Sequence, residues 1–286
     1  MQILCIDIGG TKFSTAVFEN DKVIKIETFS TNKEGGKKWM LEALLPIISD
    51  YKTNYNIKYC GIGFGGPVNY KKQEILCSTH VGGWSDFNFP LYIEEKFGLQ
   101  AVIDNDANLA ALGEANFGAG VNCNPLFYMT LSTGIGGGII IDNKIFHGAD
   151  SCSGEIGHLT IAANGPKCSC GSRGCLESLC SGLSIKRDYG KNPEELFNEK
   201  DFVDKYVVNL AGGLLHCIKL INPERIVIGG GLSKAGNKLF IPLKNEIKRR
   251  IYGKINSVID IKPAELGDTN VLFGAYVLVK ERYGLK

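Results

Sequence analysis

Apolar positions in this chain fall into two patterns: short unbroken runs, and longer stretches in which they recur at helical spacing. Residues 3–8 (Ile-Leu-Cys-Ile-Asp-Ile) form a run too short for a helix and closed by Gly9-Gly10-Thr11, which predicts a buried strand and a tight turn. Residues 12–18 then return as a second strand. The same plan recurs as a strand over 126–131, a turn over 132–137 and a strand over 138–141. A repeated strand–glycine turn–strand unit predicts an internal duplication. Two related lobes follow, dividing near Gly118-Ala119-Gly120. Residues 1–118 are the expected N-terminal α/β lobe and residues 119–286 the C-terminal one, with the last helix able to pack back on the first lobe.

Helical spacing fills the intervals. Residues 36–51 are amphipathic although Pro46 interrupts them, residues 91–97 are charged on one face, and residues 108–117 are rich in alanine and leucine. The longest pattern, 202–221, places Val203, Val207, Leu210, Leu214 and Ile218 on one stripe and stops at Asn222-Pro223. A strand over 225–228, the run Gly229-Gly230-Gly231 and a helix over 239–251 follow. Strands alternating with helices put the chain in the α/β class.

Composition narrows the function. The 32 basic and 30 acidic residues nearly cancel, and no basic stripe is interleaved with aromatics, so nucleic acid is not an expected partner. At 286 residues and 44% hydrophobic, the chain can bury two cores. No apolar run approaches membrane-spanning length and the chain runs from Met1 straight into a strand, so neither membrane nor leader is expected. The cysteines outside the run from Cys168 to Cys175 are then expected to be reduced thiols of a cytoplasmic protein.

Two glycine hairpins carry the first chemistry. After Asp7, the turn Gly9-Gly10-Thr11-Lys12 offers backbone N–H groups to phosphate oxygens, with the Thr11 hydroxyl and Lys12 as counter-charge. Asp7 sits where a magnesium hydration shell can be held. Ser132-Thr133-Gly134-Ile135-Gly136-Gly137-Gly138 repeats the offer, and two such turns point to a nucleoside triphosphate. Other nucleotide signatures fail. The nearest Walker-like stretch, Gly231 to Lys238, has Asn237 where lysine should follow Gly236. Gly61-Ile62-Gly63-Phe64-Gly65-Gly66 matches the dinucleotide pattern, but Pro67-Val68-Asn69 follows it with no helix to receive a pyrophosphate. Gly65-Gly66-Pro67-Val68 reads instead as a rigid loop lining a small-molecule pocket.

Asp104-Asn105-Asp106-Ala107-Asn108 lies between a strand and a helix. One such residue suffices as a cap, so the cluster suggests Asp106 as a general base and Asn105 as a substrate-positioning group. Farther on, His158, Cys168, Cys170 and Cys175 have the spacing of a closed structural zinc site of the Cys₃His type. Glu155 and Glu177 bracket it and, with His158, suit a ligand rich in hydroxyls.

Asp7-Ile8-Gly9-Gly10-Thr11-Lys12, Asn105-Asp106-Ala107-Asn108, Glu155-Ile156-Gly157-His158 and the Cys168 to Glu177 loop together resemble the ROK family of repressors and sugar kinases. The resemblance spans nearly the whole chain. It implies the actin-like, ribonuclease-H-like duplicated ATPase fold, two lobes with an interlobe cleft, and ATP-dependent phosphorylation of a hexose or N-acetylhexosamine. By it, Asp106 matches the catalytic base and Gly66, Asn105, Glu155, His158 and Glu177 match sugar-contacting positions. Gly229-Gly230-Gly231 matches the adenosine-side turn, and a homodimer is implied. Glucose is the first expected substrate. The Gly65-Gly66 pair, and Ser78-Thr79-His80 before Trp84, resemble N-acetylmannosamine kinases, which keeps an amino-sugar kinase as the alternative. The family's transcriptional regulators carry a helix-turn-helix ahead of the first hairpin, and with Asp7 almost at the N-terminus that reading is disfavoured.

Overall fold

A computed structural model describes residues 1–78, 81–251 and 260–285; Thr79 and His80, part of the amino-sugar resemblance, lie outside them. The first strands are β1 (Gln2–Ile8), β2 (Lys12–Glu19) and β3 (Lys22–Ser30), followed by helix α1 (Gly36–Asn54), which continues through Pro46. Next come β4 (Ile57–Phe64), the short pair β5 (Val68–Asn69) and β6 (Glu74–Ile75), α2 (Phe89–Phe97), β7 (Gln100–Asn105) and α3 (Asp106–Phe117). The chain continues with β8 (Leu126–Leu131), β9 (Ile135–Ile141), β10 (Lys144–Ile145), α4 (Leu176–Cys180), α5 (Gly182–Tyr189), α6 (Pro193–Leu196) and α7 (Lys200–Ile221). It closes with β11 (Arg225–Gly229), α8 (Asn237–Arg250), β12 (Asp260–Pro263) and α9 (Asn270–Tyr283).

Two five-stranded sheets result, in the orders β3-β2-β1-β4-β7 and β10-β9-β8-β11-β12. In each, the first three strands are antiparallel neighbours and the last two join in parallel. The second sheet therefore repeats the first strand for strand, as the hairpin repeat predicts. Parallel central strands are covered on both faces and read as unbroken apolar runs. β1 and β8 are buried along nearly their whole length for that reason.

Two compact units emerge: Met1–Asn116 with His147–Ser153 and Thr269–Lys286, and Phe117–Phe146 with Gly154–Asp268. Both His147–Ser153 and the last helix, α9, fall in the first unit. The first unit's core gathers Leu4, Ile6, Phe13, Leu44, Ile62 and Ile103 between the sheet and its helices. In the second unit, Phe127, Met129, Leu176, Leu210, Leu214 and Ile228 form the centre. Among the described residues no helix is long and apolar enough to cross a membrane.

Glycines at 61 and 63 belong to β4, not to a phosphate turn. A Cβ on Gly61 would lie 2.4 Å from the Ala275 carbonyl oxygen, and one on Gly63 would lie 2.4 Å from the Val271 side chain, both on α9. The same helix meets α3 backbone to backbone, since a Cβ on Gly274 would fall 1.8 Å from the Leu109 carbonyl oxygen and one on Gly113 2.2 Å from that of Asn270. Gly61 and Gly63 thus serve close helix packing, which agrees with setting the dinucleotide match aside.

Candidate active site

In the first unit, β1 ends beside the turn at residues 9–11. Asp7 lies on β1 opposite Ser14 of β2 and Gly63 of β4. Gly9 N–H donates to the Lys12 carbonyl at 3.0 Å, and Lys12 opens β2 opposite Ser30. Two carbonyls of the turn are held from behind by Thr31: its Oγ1 donates to Gly9 O at 2.9 Å and its N–H to Thr11 O at 2.9 Å. Gly10 lies between those two tethered residues. Thr31 carries no motif and cannot be found by spacing.

The loop after β4 closes on this turn. Gly65 N–H donates to Ile8 O at 2.9 Å. A Cβ on Gly65 would lie 3.4 Å from Asp106 Oδ2 and 3.6 Å from Gly9 Cα, so the Asp106 carboxylate, Gly65 and the first glycine turn converge on one spot. Asp106 is the first residue of α3, two residues earlier than the alanine-rich pattern suggests. Asn105 explains the difference. Its Oδ1 accepts from Ala107 N at 2.9 Å and Asn108 N at 3.3 Å, capping the helix, while its Nδ2 donates to Gly66 O at 3.1 Å. Asn105 therefore caps α3 and locks the Gly66 loop; Asp106 Oδ1 shares the Ala107 N–H at 2.9 Å, and its Oδ2 is the oxygen beside Gly65.

Asp104, the last carboxylate before that cap, is 1% exposed and accepts from Asn105 N at 2.7 Å and Asn108 Nδ2 at 3.0 Å. His147 Nε2 lies 2.6 Å from its Oδ2. The pair is separated by 43 residues, so spacing alone gives no sign of it.

In the second unit, the hairpin turn is shorter than expected, because Gly136, Gly137 and Gly138 pair with Thr130, Met129 and Tyr128 inside β9. Thr133 and Gly134 lie in the turn; Gly136 lies in the strand. The turn rests on the start of α5, with Gly182 N–H donating to Ser132 O at 2.8 Å and Leu183 N–H to Thr133 O at 3.2 Å. Glu177 Oε2 accepts from Ile135 N at 2.9 Å. One oxygen of this carboxylate thus braces the hairpin backbone. At the end of β11, Gly230 takes φ +85°, where a Cβ would fall 2.3 Å from Leu131 O, whereas Gly231 has open space at its Cβ position. A Cβ on Gly229 would meet the Tyr128 hydroxyl at 2.4 Å.

His158, Cys168, Cys170 and Cys175 come together with all four ligand atoms within 4.8 Å of one another. Cys170 Sγ and Cys175 Sγ are 3.7 Å apart, and Cys168 Sγ and His158 Nδ1 3.6 Å. A zinc tetrahedron built from Zn–S and Zn–N bonds of ordinary length has edges of about 3.8 and ~3.6 Å, so the donor set fits that ion. Gly174 makes the crossing possible: at φ +63°, a Cβ there would collide with Ala162 O at 1.6 Å. The Cys170 thiol is drawn down to about 7, first by the Ser172 backbone N–H, while burial pushes Cys175 up. With Nδ1 facing Cys168, the other ring nitrogen of His158 faces Glu155, 3.8 Å from its Oε2. Glu155 keeps 53% of its side chain in water. Even so, desolvation by the atoms around it holds its carboxyl above the usual range, with His158 opposing and Glu177 adding.

A family model described as ROK family matches residues 3–282. The chain is 30% identical to the glucokinase of Thermotoga maritima, over 99% of this chain and 99% of that enzyme. It is 31% identical to the xylose repressor of Bacillus spizizenii over 78% of this chain, covering 62% of the repressor. Among solved structures, a ROK family glucokinase from Streptomyces griseus in complex with glucose and AMPPNP superposes with a TM-score of 0.85 at 27% identity, over 98% of this chain and 100% of that one. The fold is the actin-like ATPase fold that the motifs imply.

Proposed function

Given that the chain belongs to the ROK family, we propose that it transfers the γ-phosphoryl group of ATP to a hydroxyl of glucose. The observation that carries this reading is the convergence of the Asp106 carboxylate, Gly65 and the Gly9 turn in the first unit. A base placed against a phosphate-binding turn is what phosphoryl transfer requires, because the protein's main task there is positioning and charge stabilisation. A sugar sensor has no use for that juxtaposition, so it favours catalysis over the regulator reading.

In the proposed reaction Asp106 accepts the proton of the attacking hydroxyl. The sugar oxygen forms a bond to the γ-phosphorus as the bond to the bridging oxygen breaks, and ADP leaves. General-base catalysis of this kind contributes roughly 10²–10⁴-fold. Gly9 holds the first turn through its bond to Lys12 O, backbone N–H groups of Gly10, Thr11 and the Thr133-Gly134 turn bind the phosphates, with Lys12 as counter-charge, and Gly229, Gly230 and Gly231 border the adenosine. Magnesium, when bound, supplies charge neutralisation on the phosphates, with Asp7 holding its water shell. We assign Gly66, Asn105, Glu155, His158 and Glu177 to the sugar's hydroxyls, and His158, Cys168, Cys170 and Cys175 to a structural zinc. ATP as substrate implies the cytoplasm, and the assembly is a homodimer, which light scattering would read as twice the chain mass.

A coupled assay with ATP tests the substrate, comparing kcat/KM for glucose, N-acetylglucosamine, N-acetylmannosamine, mannose and fructose. Glucose should lead. A lead for N-acetylmannosamine would replace glucose while leaving the kinase intact, and sugar binding without any phosphorylation would restore the regulator reading. Asp106→Asn should lower kcat by at least about 10²-fold, with sugar affinity held within about tenfold, ~1.4 kcal/mol. Near-native turnover in that variant removes Asp106 from the chemistry.

A further inference from the structure

His147–Ser153 is the one segment of the first unit flanked on both sides by chain of the second. Its contacts there are specific. Ser151 Oγ accepts from Tyr70 N at 3.0 Å, and Ala149 O accepts from Lys71 Nζ at 2.7 Å. The Tyr70 ring lies flat on the His147 imidazole, centroids 4.0 Å apart and planes 9° from parallel. Stacking fixes the plane of the imidazole, and that plane aims Nε2 at Asp104 Oδ2, 2.6 Å away.

Asp104 is the hub of a wider network. A carboxylate buried this deeply is tolerated only when its oxygens are satisfied. Oδ1 receives the Asn105 backbone N–H and the Asn108 amide, and Oδ2 faces His147. Asn108 gives this bond at some cost to itself, since its own Oδ1 is buried without a partner among the described residues. From Asn105 the path continues to Gly66 O, and the loop from Gly66 leads back to Tyr70. Gln73 fastens the same loop to the strand before Asp104: its Oε1 accepts from Ile103 N at 2.9 Å and its Nε2 donates to Tyr70 O at 2.6 Å. The contacts close into a ring: Asp104, Asn105, Gly66, Tyr70, His147 and Asp104 again. Asp106 directly follows Asn105, one of that ring's members.

We propose that His147 is a positioning residue for phosphoryl transfer: through Asp104 it fixes the Asn105 peptide and so aims the Asp106 carboxylate. The role rests on Asp106 being the base. Networks of this kind act as a unit, so removing one member lets the rest relax. A misplacement on the order of 1 Å can lower a rate by about 10²-fold without any change in the reacting groups.

The test compares His147→Phe, which keeps a ring for Tyr70 but has no nitrogen, with His147→Gln, whose amide can replace Nε2–H. His147→Phe should lower kcat by roughly 10- to 100-fold, with KM for ATP unchanged. His147→Gln should recover most of that loss. Native kcat in a folded His147→Phe overturns the proposal, and so does an equal loss in both variants, which would mean that only ring packing matters. Should His147→Phe fail to fold, Asp104→Asn decides: a fall in kcat at constant KM for ATP supports the role, and native kcat overturns it. Where His147→Phe folds, joining it to Asp104→Asn should lose no more than Asp104→Asn loses alone, because the two changes break one link; additive losses count against the pair. Asp106→Asn separates the two readings. If it is inactive while His147→Phe is native, only the positioning role falls; if it turns over normally, the base assignment falls first.

Discussion

Three adjacent glycines, 229 to 231, differ in what surrounds them. Gly229 makes room for the Tyr128 hydroxyl, and Gly230 combines φ +85° with a main-chain oxygen at the site of any Cβ. Gly231 meets nothing within 4 Å. The fold therefore requires Gly230 and has no use for Gly231, so a requirement at 231 would have to come from a ligand. Gly230→Ala should destabilise the protein by more than about 1 kcal/mol, since both conformation and space forbid a side chain. Gly231→Ala should leave stability within about 0.5 kcal/mol and still weaken nucleotide binding by about tenfold, ~1.4 kcal/mol. Thermal unfolding and nucleotide titration read the two effects separately, and unchanged affinity in Gly231→Ala would take that residue out of the adenosine site. The run is visible in the sequence as a glycine cluster. The division of labour inside it is not, because it depends on Leu131 and Tyr128, about a hundred residues away. Asp106 shows the same limit: its cluster marks the place, but that Asn105 spans the first helical amides and the Gly66 carbonyl, while Asp106 Oδ2 lies beside Gly65, appears only in the fold.

Among the elements, α9 is held to the first sheet by a turn it never approaches in sequence. Asn20 and Asp21 both have positive φ, 49° and 61°, forming a two-residue hairpin turn between β2 and β3 that places Asp21 under α9. The Asp21 carboxylate accepts from Lys280 Nζ at 2.9 Å and Tyr276 Oη at 2.8 Å, and the Tyr276 ring stacks on Phe18 at 4.7 Å. The Lys280 bond first, and the Tyr276 bond next, hold the Asp21 carboxyl below its usual value. A carboxylate lowered on folding stabilises at every pH above its ordinary value and loses that contribution as pH falls through the lowered one. Asp21→Asn keeps a residue that tolerates positive φ and removes only the charge. It should be less stable than the parent at pH 7 by up to about 1 kcal/mol, modest because the pair is partly exposed. The gap should narrow only below about pH 4, the ordinary aspartate range. Denaturant titrations at pH 7 and pH 3 check this; a gap that is the same at both would assign the effect to shape, not charge. Elements made of local signals were legible: β1, β2, β8 and α7 follow from apolar runs, helical spacing and the stop at Asn222, which takes φ 50° as a helix end requires. β4 was hidden because its glycines imitate a nucleotide motif while answering to α9, some two hundred residues on.

For the molecule as a whole, the repeated sheet order means that each unit presents one glycine turn at the end of its first hairpin, and the two turns are braced differently. In the first unit Thr31 holds the turn. In the second, support comes from the cluster that matches zinc. Cys175 forms the isolated bridge with Thr160, Leu176 N–H donates to Leu159 O at 2.9 Å, and Glu177, one residue on, reaches the hairpin through Ile135 N. Three of the four ligand atoms are thiol sulfurs, and burial disfavours the thiolate form of Cys175 unless a cation offsets its charge. A metal held there would contribute its binding free energy to the folding of this loop. Protein purified without added metal should carry about one zinc per chain. Stripping it with a chelator should raise hydrogen exchange at Leu176 and Ile135, leave β1 and β4 protected, and raise KM for ATP through the loosened second hairpin. Exchange is the decisive reading, since it resolves opening of one segment from unfolding of the whole. If Ile135 keeps its protection in the stripped protein, Glu177 holds the hairpin without help from the metal, and the cluster's influence ends at its own loop.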